Sequence, residues 1–367
     1  MILLPLSLAL MLACTLPAFA QVEDGDSATQ ARCEEYLQTP LPPEAAHVAA
    51  PKQWPECNSY KLYAGIGVKI DYAAARQCAW SERLAVQANL EPRYTVGSVF
   101  GGSAMLAVLY ANGEGVPKDL KLAERFVCEA GGAPAEIRIR LEHVASLAQS
   151  NSPSKSKFDF CDDITSGFME GFCSAYHSEF EDQRRVGALK EITARFTPEQ
   201  QLAFQSLLKS EEDYARAHAA GEIDLSGSAR AMFQIDAEDT LRDDFIEALR
   251  SFEGGKLPPT GAAEFPNADA HLNSVYRQAM SDAESHKNNY GAVQPAGIRD
   301  AERAWLRYRD AWVAFAKLRY PSVPHAAWLT LLTNDRTSIL DGSFCDMDDV
   351  EGPCAPKGDT WRPSPLP

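Results

Sequence analysis

Residues 299–320 read RDAERAWLRYRDAWVAFAKLRY, and this stretch decides the fold class. Trp305, Tyr308, Trp312 and Phe315 recur there at spacings of 3, 4 and 3. A strand would alternate its apolar residues at every second position. The observed period sets all four aromatic side chains on one face of a helix. Such a stripe is either a ligand box or a core face, and a core face is expected. Arg303, Arg307, Arg309 and Asp310 lie off the stripe or at its margin.

The same helical texture extends back to about Phe158. Thr197-Pro198-Glu199-Gln200 reads as an N-cap, a proline at the first helical position and an acidic first turn. Asp236 to Phe252 gives a further amphipathic helix, broken by Gly254-Gly255 and Pro258-Pro259. Leu272, Val275, Tyr276 and Met280 mark another. Residues 149–157, QSNSPSKSK, have nothing to bury and read as a linker.

Before the linker a pattern occurs twice. One copy is Leu62-Tyr63-Ala64-Gly65-Ile66-Gly67-Val68 followed by Asp71; the other is Leu109-Tyr110-Ala111-Asn112-Gly113-Glu114-Gly115-Val116 followed by Asp119. In each, a helix ends, glycines turn the chain and an aspartate caps the next helix. A dinucleotide fingerprint is excluded, since no strand precedes the turn and the third glycine is missing. Residues Ala104 to Ala130 resemble the Sel-one-like repeat, a relative of the tetratricopeptide repeat, and Tyr60 to Cys78 resemble part of one. The resemblance implies paired antiparallel helices over 57–148, stacked into a short solenoid that offers a surface for protein contacts.

A second resemblance lies at the other end. Leu272-Asn273-x-x-Tyr276, then Glu302-Arg303-Ala304-Trp305-x-x-Tyr308-Arg309-Asp310, then Leu332-Thr333-x-x-Arg336-x-x-x-Leu340 are similar to the domain of LprI-type lysozyme inhibitors. Glu302 stands where that pattern usually has Gln, and its usual cysteines near Val313 and Trp328 are absent, which fits a lost disulfide filled by apolar residues. The polar motif residues Asn273, Glu302, Arg309, Asp310 and Arg336 are expected chiefly to orient helices, with Arg309 and Asp310 each pairing to another helix and Arg336 and Glu302 as the candidate partners. Residues 158–255, with Cys161, Cys173 and Asp213-Tyr214-Ala215-Arg216, resemble a divergent copy of the unit at 264–343.

Residues 1–20 are apolar, without charged side chains, and end Ala18-Phe19-Ala20, as a cleaved secretory leader would. Acylation at Cys14 is a less favoured alternative. Residues 21–56 read as a polar, irregular segment, Pro-rich at its end, with one short helix around Ala31 to Tyr36, and no later run is apolar enough to span a membrane. Removing Cys14 from the nine cysteines leaves an even set, suited to disulfides in an oxidising compartment. Cys161 with Cys173 and Cys345 with Cys354 are natural local pairs, the latter within a loop and tail at 344–367. Cys57 with Cys78, leaving Cys33 with Cys128, is favoured for the rest, with the connectivity open.

The net charge of -16 argues against nucleic acid and anionic membrane surfaces and suits a basic partner or simply solubility. There is no H-E-x-x-H, no G-x-S-x-G elbow and no phosphate loop. Ser-x-x-Lys occurs at 154–157 and 206–209 without the motifs that accompany it in β-lactam enzymes. Asp346, Asp348, Asp349 and Glu351 lack EF-hand spacing for calcium. No catalytic residue, metal or cofactor is expected. The sequence thus describes an all-α, disulfide-stapled protein: a helical-repeat solenoid followed by two LprI-like helical bundles. It is expected in the periplasm or secreted, binding and inhibiting a basic lysozyme or a related envelope protein. The alternative is a non-inhibitory periplasmic adaptor that docks partners on its repeats.

Overall fold

The computed structural model describes residues 24–90, 96–148, 157–259 and 264–342. Among them the chain is all-helical: thirteen α-helices, one short 3-10 helix at Pro43–His47 and no strand. The expected leader with Cys14, most of the expected linker at 149–157, the expected pairing of Cys345 with Cys354 and the carboxylates between them fall outside the described residues.

The first part holds α1 (Asp24–Tyr36), α2 (Ser59–Ala64), α3 (Tyr72–Gln87), α4 (Val96–Phe100), α5 (Gly102–Asn112), α6 (Leu120–Ala130) and α7 (Pro134–Ser146). Successive helices pack in order, α2 on α3, α3 on α5, α5 on α6 and α6 on α7. The two glycine turns share one geometry. Gly65 (φ +78°) and Gly113 (φ +71°) leave α2 and α5 in the left-handed region, where a side chain would be strained. Lys61 O accepts from Gly65 N and Ile66 N, and Leu109 O accepts from Gly113 N and Glu114 N. Asp71 caps α3 through Ala74 N at 2.9 Å, and Asp119 caps α6 through Leu122 N at 3.1 Å.

These bonds correct the register of the two turns. Asp71 N donates to Leu62 O, and Asp119 N to Tyr110 O. Leu62 is therefore equivalent to Tyr110, one position away from the match of the two Leu-Tyr pairs. The extra Asn112 in the second copy accounts for the slip. It is also put to use: its side chain clamps the backbone of Phe158, donating to Phe158 O at 2.9 Å and accepting from Phe158 N at 2.8 Å.

Three cysteine pairs stand at disulfide distance: Cys33 with Cys128, Cys57 with Cys78, and Cys161 with Cys173. The first ties α1 to α6, the second ties the segment before α2 to α3, and the third ties the segment after the linker to the next helix.

That next helix, α8 (Gly167–Thr193), spans two cores. Its first half, with Met169, Cys173 and Tyr176, joins Trp80, Leu106, Leu109 and Phe126 in the core of the first part. Its second half, with Ala188, enters a core built on Trp312, Phe315 and Trp328. The remaining helices are α9 (Pro198–Gly221), α10 (Arg230–Glu253), α11 (Phe265–His286), α12 (Pro295–Arg319) and α13 (His325–Gly342). α8 pairs with α10 and α11 with α13, while α9 and α12 form the most extensive helix pairing among the described residues. α9 and α12 run antiparallel: Gln200 at the start of α9 bonds Leu318 O near the end of α12, and Gly221 meets Gly297 at the opposite end. A Cβ on Gly297 would sit 2.5 Å from Gly221 O, so the two backbones touch where neither carries a side chain.

Candidate functional site

The aromatic stripe of α12 faces the core. Trp305, Trp312 and Phe315 are buried, and Tyr308 is partly so. Tyr308 accepts from Trp312 Nε1 at 2.7 Å and stacks on Tyr214 of α9, with ring centroids 5.5 Å apart. Trp312 stacks on Trp328. Val313 and Trp328 lie in this same apolar cluster. Leu272 and Trp305 form a neighbouring core with Leu340 and Tyr214, and Tyr276 packs against it.

The polar motif residues divide into two groups. Those at the surface make local contacts. Asn273 donates to Asp269 O at 2.7 Å, one turn back on α11. Arg309 bonds its neighbour Asp310 at 2.8 Å and lies over the Trp305 ring, so it pairs along its own helix rather than across to another. Glu302 and Arg336 are different, because they meet inside the molecule.

Arg336 is fully buried on α13 and all three guanidinium nitrogens are satisfied. Nε donates to Glu302 Oε2 at 3.0 Å, Nη1 to Glu222 Oε2 at 2.8 Å and Nη2 to Glu222 Oε1 at 2.6 Å. Nη1 also reaches Tyr214 Oη at 3.2 Å. His218 Nδ1 lies 2.8 Å from Glu222 Oε2, one helical turn back on α9. A charge of this size survives burial only when paired and hydrogen-bonded. Burial pushes the Glu222 carboxyl up, but Arg336 and His218 outweigh it and hold Glu222 below the ordinary carboxylate range. For Glu302, nearer the surface, burial prevails over Arg336 and its carboxyl is raised. A cleft of about 300 Å³ between α9, α10 and α13 reaches His218, flanked by Leu241, Asp244 and Ile339.

Glu211, one turn before Tyr214 on α9, is buried, and its Oε1 has no hydrogen-bond partner among the described residues. Burial raises its carboxyl to about 7, against the opposing charge of Arg242.

Glu222 closes α9 and opens the turn 222–229, which packs against the turn 287–294 between α11 and α12. Leu225 N donates to Gly291 O at 2.9 Å. Gly291 adopts φ +79°, and a Cβ there would lie 2.4 Å from Ser226 N. Next to it, Tyr290 is 82% exposed, more than any other large apolar or aromatic side chain among the described residues. Glu222, His218 and Tyr290 were not singled out by their sequence pattern. His218 and Glu222 do stand four apart at a helix end, a spacing that allows them to touch.

Among the described residues no group of three His, Cys, Asp or Glu side chains is gathered for a metal, and no helix is long and apolar enough to cross a membrane. No curated protein and no solved structure matches the chain. Residues 261–340, which hold α11, α12 and almost all of α13 together with Glu302, Tyr290 and Arg336, match the family model described as lysozyme inhibitor LprI.

Proposed function

We propose that the protein acts outside the cytoplasm as a binding protein that inhibits a basic lysozyme. The match over residues 261–340 carries this reading. Three cysteine pairs at disulfide distance suit an oxidising compartment. The net charge of -16 would steer a basic enzyme toward the protein. The reading assigns no catalytic residue and no cofactor: the chain works by occupying its partner. It also treats 158–255 and 264–343 as two copies of one three-helix unit. Their first and third helices pair within each copy, and their middle helices pair across. Tyr214 and Tyr308 stand 94 positions apart, and so do Arg242 and Arg336.

Titration calorimetry of the mature protein with a basic animal-type lysozyme tests the reading. A stoichiometric complex that weakens as salt rises is expected. Absence of a complex at low salt would contradict it.

One observation favours a second role, as an adaptor. Val116 of the second turn is buried and Gly115 is seated against Tyr72, whereas the equivalent Val68 is 48% exposed and a Cβ on Gly67 would meet nothing. Among the described residues the helical stack is thus open at its first turn, where a further unit or an envelope protein would dock. An envelope protein that binds the wild type but not Val68→Asp, with no effect of either on lysozyme, would select this role.

A further inference from the structure

From the geometry of the 287–294 turn we infer that Tyr290 is the element that enters the cleft of the inhibited lysozyme. This rests on the inhibitor reading and names the surface that performs it. An enzyme that cleaves a polymer held in a cleft is blocked most directly by a protrusion that fills that cleft. The turn between α11 and α12 supplies one. Tyr290 has no ring, hydrogen-bond or ion-pair partner among the described residues, and the residue is 82% exposed to water. Burying an aromatic ring of this kind supplies large contact area while only two side-chain torsions are fixed, which is why Tyr recurs at the energetic centres of interfaces.

The backbone that carries the ring is held in place. Asn289 N bonds His286 O at 2.9 Å, continuing the end of α11. Gln294 Nε2 bridges the turn, donating to Lys287 O at 3.2 Å and Ala292 O at 2.9 Å. Gly291 is pinned against Leu225 and Ser226 of the neighbouring turn. That neighbouring turn begins at Glu222, which Arg336 grips inside the body. A line of contacts therefore runs from the buried Arg336 through Glu222 and Leu225 to Gly291 and so to the exposed ring. Preorganisation of this kind removes the ordering cost that an unsupported loop would incur on binding. Asp224 of the supporting turn accepts from Ser226 N at 2.7 Å, and Lys287, at the head of the Tyr290 turn, is paired with Glu284, so attraction to a basic enzyme comes from the net charge of -16 rather than from this turn. Arg336 and Glu222 act in this account as positioning residues and touch no partner.

The test compares inhibition of a basic lysozyme by the full mature protein and by three variants. Tyr290→Ala should raise the inhibition constant at least ~30-fold, the loss typical of an interface hot spot. Tyr290→Phe, which keeps the ring, should stay within a few-fold of wild type. Leu202→Ala alters a side chain 67% exposed at the opposite end of α9 and should change nothing. Helicity and melting temperature should be unchanged in all three, since both positions are exposed. Inhibition by wild type with equal inhibition by Tyr290→Ala would overturn the inference and leave the inhibitor reading standing. Equal losses in Tyr290→Ala and Leu202→Ala would also overturn it. Failure of the wild type itself to inhibit would remove both.

Discussion

Arg336 and Glu222 form a two-pronged ion pair, Nη2 to Oε1 at 2.6 Å and Nη1 to Oε2 at 2.8 Å, with both side chains withdrawn from water. Arg336 belongs to the segment that matches the inhibitor family; Glu222 lies outside it. The segment's buried arginine therefore bonds one carboxylate inside the segment, Glu302, and one outside it, Glu222, which ties α13 to the end of α9 as well as to α12.

Breaking this pair at Glu222 leaves the buried Arg336 with Glu302 as its one remaining carboxylate partner among the described residues. Glu222→Gln should cost about 3–5 kcal/mol of stability, read by urea denaturation. Because the Glu222 carboxyl is held below its ordinary range, its contribution is present above the pKa of an unfolded glutamate. It is lost as pH falls through the lowered folded value. The cost of the substitution should accordingly shrink in acid. Residues 261–340 expressed alone should not give a cooperative unfolding transition.

Glu211 has the opposite sign. Its folded carboxyl is raised to about 7 by burial, so the stability it permits is full below the unfolded value and is lost as pH rises through about 7. Glu211→Gln should leave stability near pH 5 almost unchanged and add up to roughly 3 kcal/mol at pH 8. Chemical denaturation at the two pH values checks this; equal effects at both would contradict it.

The contact of Gly221 with Gly297 brings α9 and α12 together. Gly297→Ala places a methyl group against backbone that has no side chain to move. It should separate the helices and cost roughly 1–3 kcal/mol, seen as a lowered melting temperature, despite the better helix propensity of alanine.

Peptide mapping without reduction should recover Cys33 linked to Cys128, Cys57 to Cys78 and Cys161 to Cys173. Cys33→Ser/Cys128→Ser opens the longest of these links and should cost about 2–5 kcal/mol. Recovery of a different pairing would contradict the arrangement of α1 on α6.

Much of the fold is legible in the sequence because local physics decides it. The period of Trp305, Tyr308, Trp312 and Phe315 marks α12, and Thr197 with Gln200 forms the capping box that starts α9. The turns at Gly65 and Gly113 are legible because only glycine leaves a helix so tightly. The site is less so. Glu222 is one of 51 acidic residues, and its partner is 114 positions away, so no spacing rule connects them. The resemblance marked Arg336 and Glu302, but which helices they join depends on the pairing of α9 with α12. Tyr290 sits in a turn, where no periodicity distinguishes an exposed ring from a buried one.

The most direct measurement is lysis of peptidoglycan by a basic animal-type lysozyme, with and without the purified protein, at low and at physiological salt. Inhibition near a one-to-one ratio, stronger at low salt, is the predicted result. Undiminished lysis at a large molar excess of the protein at both salt concentrations would contradict the account.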